Sequence, residues 1–179
     1  TAGATVNMFI GMKNTFGGST ITQQLIKNLT HDDEVTVRRK LLEIMRALEF
    51  EQQYSKDDIL EWYLNIIFFG QNCYGVKSAA ENYYGKELEF LTTAECASLI
   101  SITNNPSLYN PYRENLDAGG MNGAQRNKER QMDTLGEMLA QGWITQEEYD
   151  KWRYTYPEVK VQCTREALDA LREAEKNKE

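Results

Sequence analysis

Three segments early in the chain combine residue types that can handle an anionic group. GGSTITQQLIKN, residues 17–28, sets a glycine pair, Ser19 and Thr20 directly ahead of a helical pattern. At that point free backbone N–H groups and the helix dipole favour an anion. Lys27 adds a cation to the stripe formed with Thr20, Gln23 and Gln24 at helical spacing. VRRKLLEIM, residues 37–45, places Arg39 and Lys40 one turn ahead of Glu43, so two cations and a carboxylate share a helix face. That trio can hold a pyrophosphate and tune the carboxylate beside it. SKDDILEWYLN, from Ser55, puts Lys56 in a first turn, where the dipole disfavours a cation and a ligand would account for it. Each segment also has a plainer reading. Thr20 and Gln23 fit a capping box, Arg39, Lys40 and Glu43 fit a solvated ion pair worth about 0.2–1 kcal/mol, and Lys56, Asp57 and Asp58 fit ordinary surface charges.

The elements that must carry these residues are helices. Prolines number three, and apolar residues recur at helical spacing along most of the 179 residues. Thr20 to Leu29 is expected to turn Ile21, Leu25 and Leu29 inward, and Val35 to Gln52 to bury Val37, Leu41, Ile44 and Leu48. A third helix follows Ser55 as N-cap and carries Ile59, Leu60, Tyr63, Leu64 and Ile67. VKSAAENYYG ends on Gly85, LTTAECASLISI opens with the capping box Thr92 and Glu95, and NPSLYNPYRENLDAGGMNG reads as a long loop. A helix from Gln125 to Gln141 and a short one after Thr145 complete the pattern.

Composition narrows the classes. A chain of this length with 41% hydrophobic residues supports one domain. The net charge of -7 provides no broad basic field, so nucleic acid is not an expected partner. Cys73, Cys96 and Cys163 are too scattered for a disulfide framework or a zinc site and are expected as buried free thiols. His31 is the only histidine, in a polar stretch ill suited to a Ser-His-Asp triad. No apolar run approaches the ~20 residues of a membrane span.

GGSTITQQLIKN, RKLLE, SKDDILEWYLN and the later NPSLYNP occur in the order of the motifs of the peptidoglycan glycosyltransferases, family 51, which form a domain of class A penicillin-binding proteins. The resemblance runs from about Phe16 to Tyr149. It implies a mostly α, lysozyme-like helical domain over residues 1–156, with 157–179 as a linker or the start of a following region. It further implies polymerisation of lipid II into glycan strands at the extracytoplasmic face of the bacterial cell membrane. The growing chain would pass from undecaprenyl pyrophosphate to the 4-hydroxyl of an acceptor GlcNAc. Carried over residue by residue, Ser19, Gln23, Gln24 and Lys27 line the donor side, Arg39 and Lys40 hold phosphate, Glu43 is an essential glutamate, and Lys56 and Asn65 match the fourth motif. Expected partners are lipid II, nascent glycan, the outer leaflet of the cytoplasmic membrane and moenomycin-type inhibitors. No cofactor is certain, and a divalent cation, Mg or Mn, stays open. So does the task of Glu43, which could orient the cations, hold such an ion or protonate the departing oxygen.

Two departures accompany the resemblance. Ser101, Ile102, Thr103 and Asn104 stand where the family reads Gly-Leu-Pro-Gln, and 115–123 reads as an insertion. The family's general base, a glutamate in a Glu-Asp-x-x-Phe motif ahead of GGSTITQQ, has no counterpart, because Thr1 to Thr15 contain neither Asp nor Glu. In that region Val6 to Met12 reads either as a membrane-facing segment or as a terminus packed on an upstream part. A binding module for lipid II or glycan without turnover is therefore the alternative class, and a lytic, lysozyme-like enzyme a weaker one, since it has no use for the cation array. The 179 residues alone are expected not to elongate glycan from lipid II. Gel analysis of products from the purified chain tests this, and polymer would place a base within these residues.

Overall fold

The computed structural model describes residues 19–30 and 36–159. His31, Cys163 and the Val6 to Met12 segment lie outside them. The described chain is helical: α1 (Ile21–Thr30), α2 (Val37–Gln53), α3 (Lys56–Ile66), α4 (Val76–Tyr84), a 3-10 turn (Leu88–Phe90), α5 (Thr93–Asn104), α6 (Gly123–Ala140) and α7 (Gln146–Arg153). The sole β feature among the described residues is an isolated bridge between Phe68 and Tyr74. Helix starts follow the capping chemistry. Ser55, Thr92, Asn122 and Thr145 each accept from the third N–H of their helix, while Asp58, Glu95, Gln125 and Glu148 reach back to the cap. The helix expected from Gln125 starts two residues earlier, because Asn122 is its cap.

Two cores meet on α5. Leu25, Ile59, Tyr63, Phe69, Tyr83 and Leu99 belong to the first, which joins α1, α3, α4 and α5. Ala97, Leu135 and Ile144 centre the second, between α5, α6 and α7. Between them runs a buried polar seam, which is tolerable because its groups are paired. Tyr84 donates to Ser98 Oγ (2.8 Å), Ser98 to Asn127 Oδ1 (2.6 Å), and Asn127 Nδ2 to the Ser98 and Tyr109 carbonyls (both 3.0 Å). Beyond α7, Lys128 donates to the Arg153 and Thr155 carbonyls, Pro157 is buried, and Val159 packs on the first core.

The long loop after α5 is built from short side-chain-to-backbone turns. Asn105 Oδ1 accepts from Ser107 and Leu108, Asn110 Oδ1 from Tyr112, and Asp117 Oδ1 from Gly119 and Met121. The loop returns to α6 through Gly123, where a Cβ would lie 1.9 Å from the Asn110 carbonyl oxygen.

Several expectations about faces are overturned. Val37, Leu41 and Leu48 are exposed and Ile44 is half-buried; Met45 is 66% exposed, and the buried residues of α2 are Glu43 and Ala47. On α1, Ile21 and Leu29 are exposed, while Thr22 and Gln23 are buried beside Leu25 and Ile26. Leu60 and Cys96 are exposed too. The charge network below explains the inversion of α2.

Acid sensitivity follows from Glu95. Burial pushes its pKa up, but hydrogen bonds from Lys86 and from the Thr92 N–H and hydroxyl outweigh that and hold it below its ordinary value. A carboxyl depressed in the folded state stabilises the fold above the unfolded pKa, about 4.3, and loses that contribution as pH falls through the depressed value. Denaturation midpoints between pH 6 and pH 3 are expected to fall less steeply for Glu95→Gln than for the parent.

Candidate active site

The site grows from the packing of α1 against α2 and α3. Thr20 starts α1 by accepting from Gln23 N (3.2 Å), which leaves Ser19 at the mouth of the helix. Thr36 caps α2 by accepting from Arg39 N (3.1 Å), so Arg39, Lys40 and Glu43 fall in its first two turns. Thr22 on α1 donates to Glu51 near the other end of α2.

Glu43 is the centre of this packing. It is 5% exposed, its Oε2 accepts from Arg39 Nη1 at 2.6 Å, and its Oε1 accepts from Lys40 Nζ. An isolated carboxylate at such depth would cost several kcal/mol, so the two cations are what allow α2 to bury its polar side. Lys40 Nζ also donates to Ser19 Oγ (2.8 Å) and Gln23 Oε1 (3.2 Å). All three ammonium protons thus have acceptors, and Ser19, Gln23, Arg39, Lys40 and Glu43 form one connected network.

Lys27 stands where three clefts meet. The first is a small cleft with Ile26, Thr30, Arg39, Glu43 and Arg46. On another side, Lys27, Asn28, Leu29, Asn65, Ile66, Phe68 and Tyr74 line a cleft of about 510 Å³. A third, of about 470 Å³, holds Lys27 and Asn28 with Ser19, Gln24, Tyr63, Thr103 and Arg130. Arg39, Glu43, Ser19, Gln24 and Asn65 therefore all border clefts that share Lys27. Gln23 does not: it is 3% exposed and spends its side-chain oxygen on Lys40. Lys56 is exposed in the first turn of α3, roughly 13 Å along the helix from Asn65 at ~1.5 Å per residue.

The Asn65 end of α3 is held by a tight turn. Phe69 N donates to Cys73 O and Cys73 N to Gly70 O around Gln71 and Asn72, both at positive φ. Gly75 (φ 81°) then passes so close to α3 that a Cβ would lie 2.5 Å from the Asn65 carbonyl oxygen. The same turn brings Phe68 and Tyr74 together as exposed rings with centroids 5.0 Å apart. Sequence reasoning missed both as cleft residues, and it took Tyr63 for core alone; the hydroxyl of a tyrosine in an apolar stripe was the available signal. Among the described residues, no three His, Cys, Asp or Glu side chains converge. With both Glu43 oxygens taken by cations, these residues do not fit a divalent ion.

The transglycosylase family model matches residues 1–139. The chain belongs to the transglycosylase family. It is 44% identical to penicillin-binding protein 1F of Bacillus subtilis over 134 residues, 74% of this chain and 17% of that protein. It is 39% identical to penicillin-binding protein 1A of Escherichia coli over 150 residues, 84% of this chain and 16% of that one. The transglycosylase chain thus spans about a sixth of the length of these relatives. Its fold is similar to the crystal structure of penicillin-binding protein 1A from Haemophilus influenzae, with a TM-score of 0.51 at 24% identity over 90% of this chain and 20% of that one.

The inverted polarity of α2 is testable by stability. Glu43→Gln leaves two partly buried cations without their carboxylate and is expected to cost about 3 kcal/mol. Leu41→Ala, on the exposed face of the same helix, is expected to cost at most about 0.5 kcal/mol. Urea midpoints of the two variants check this, and the reverse ranking would mean that α2 packs on its apolar face.

Proposed function

We propose that this transglycosylase chain provides the donor side of a peptidoglycan polymerase acting on lipid II. The observation that carries the reading is the fixed cation array of Arg39 and Lys40 on the buried Glu43, beside clefts that share Lys27. In the reaction, the acceptor GlcNAc 4-hydroxyl oxygen bonds to the anomeric carbon of the growing chain. The bond from that carbon to pyrophosphate breaks, and the pyrophosphate leaves with the electron pair. Negative charge accumulates on the leaving group, and cations already held in place stabilise it without having to reorganise. The hydroxyl proton goes to a base that the family resemblance locates ahead of GGSTITQQ.

Arg39 and Lys27 take the phosphate oxygens in this reading, and Lys40, whose protons are held by Glu43, Ser19 and Gln23, adds its positive charge beside them. Glu43 and Gln23 are positioning residues, since their oxygens face the cations. Of the three tasks open to Glu43, orienting Arg39 and Lys40 is the one its hydrogen bonds favour. Ser19 steadies Lys40, Gln24 and Asn65 offer amides to the clefts, and Lys56 is an exposed cation at the far end of α3.

The outer leaflet of the cytoplasmic membrane is the proposed setting. Val37, Leu41, Met45 and Leu48 make the solvent side of α2 apolar, and Tyr54 and Trp62 are exposed near its end. An amphipathic helix of this kind beds its apolar side into the headgroup boundary. No helix among the described residues is long and apolar enough to cross a membrane.

Moenomycin, a phosphoglycolipid, tests the donor side. Arg39→Gln is expected to weaken its binding by about 1.5–3 kcal/mol, the size of a charge-assisted bond, and Lys40→Gln, which removes a charge held beside the site, to weaken it clearly as well. Lys151→Gln, on α7, is expected to change it little. Titration calorimetry on variants with unchanged circular dichroism measures this, and equal losses at Lys40 and Lys151 would reduce the binding to general electrostatics.

A further inference from the structure

Tyr63 sits at the floor of the cleft that contains Gln24, Ser19 and Lys27. It is 8% exposed, and its ring belongs to the first core with Leu25, Ile59 and Phe69. Its hydroxyl donates to Gln24 Oε1 at 2.9 Å. Thr103, near the end of α5, lines the same cleft beside the phenol, and its own hydroxyl donates to the Ile100 carbonyl at 2.8 Å. Burial pushes the Tyr63 pKa above its ordinary value, and the neighbouring Thr103 hydroxyl opposes this only in part, so the phenol keeps its proton at neutral pH. A neutral phenol held by two helices has one proton to give, and it goes to Gln24.

A carboxamide has one oxygen and two N–H donors. With Oε1 occupied from below, Gln24 must turn Nε2 toward the cleft. Nε2 reaches the Ser19 carbonyl only at 3.4 Å, at the long end for a hydrogen bond, so its donor capacity is largely available. We propose that Tyr63 is a positioning residue that orients the Gln24 carboxamide, so that Gln24 presents N–H donors to an oxygen-rich ligand, a phosphate or sugar oxygen of the donor substrate. The inference rests on the donor-side reading for the identity of the ligand, whereas the Tyr63 to Gln24 contact stands independently of it.

A double-mutant cycle on moenomycin affinity tests it. Tyr63→Phe retains the ring and removes only the donor. It is expected to weaken binding about three- to tenfold, the size of one neutral hydrogen bond, with the circular dichroism spectrum unchanged. In a Gln24→Ala background the same change is expected to alter affinity less than about twofold, because its effect passes through Gln24. A purely structural role gives the same loss in both backgrounds, and that result, or no loss in Tyr63→Phe, overturns the proposal. Gln24→Glu provides a second arm that leaves Tyr63 intact: it accepts from the phenol but has no N–H, and is expected to bind as poorly as Gln24→Ala. Parent-like binding by Gln24→Glu overturns the proposal as well. If the parent chain does not bind moenomycin, the donor-side reading falls instead. The Gln24 side-chain amide signals in a nitrogen-15 spectrum then decide the orientation: they shift in Tyr63→Phe if the contact orients the amide, and their staying in place overturns it.

Discussion

A carboxylate buried in a helix bundle has to be matched, and matching Glu43 governs how the front of this domain is assembled. Its two oxygens take Arg39 and Lys40, and Lys40 takes Ser19 and Gln23 in addition. The network therefore ties α2 to the start of α1 through charge-assisted bonds, which are shorter and stronger than neutral ones. Once the polar side of α2 faces inward, the apolar side has nowhere to go but out. The exposed leucines and Met45 are a consequence of the charge network rather than a defect of packing.

The remainder of the fold holds the far walls of the clefts. α3 carries Tyr63 inward and ends just past Asn65, whose position is pinned by the close approach of Gly75. α5 lies between two cores, so Tyr63 and Thr103 are held by elements that cannot shift without disturbing either. The buried Ser98, Asn127 and Tyr84 seam adds directional bonds to that packing. Rigid walls of this kind suit a site that works by preorganised charge, since reorganisation would absorb the electrostatic benefit.

Helix identity and helix ends were legible in the sequence because both depend on local chemistry. Ser55, Thr92 and Thr145 cap in the structure as their spacing implied, and Gly85 closes α4 in the left-handed region. The motif residues were legible as a group for a different reason: their types and order matched a family whose membership the comparisons establish. What was not legible is which face of a helix turns inward. Periodicity locates an apolar stripe, but the partner decides whether the stripe or the opposite side is buried, and on α2 a single carboxylate with two cations outweighed four apolar side chains. Gln23 shows the same limit at one residue. Its neighbour Gln24 has identical chemistry and lies about 100° around the helix, which is enough to make one a buried support and the other a cleft residue.

The inverted helix also joins the two halves of the proposed function. An α-helix with its side chains is about 10–12 Å across, so the cation array on the inner side of α2 lies within roughly that distance of the apolar outer side. A substrate whose pyrophosphate is attached to a long hydrocarbon tail needs both environments at that separation: fixed cations for the phosphates, and a lipid boundary that the tail never has to leave. A helix buried on its apolar side would have turned the cations toward bulk water, where screening weakens them. Burying Glu43 therefore holds the cations on the inner, partly buried side of α2 and leaves the leucines outside, the side that the proposed function assigns to the membrane surface.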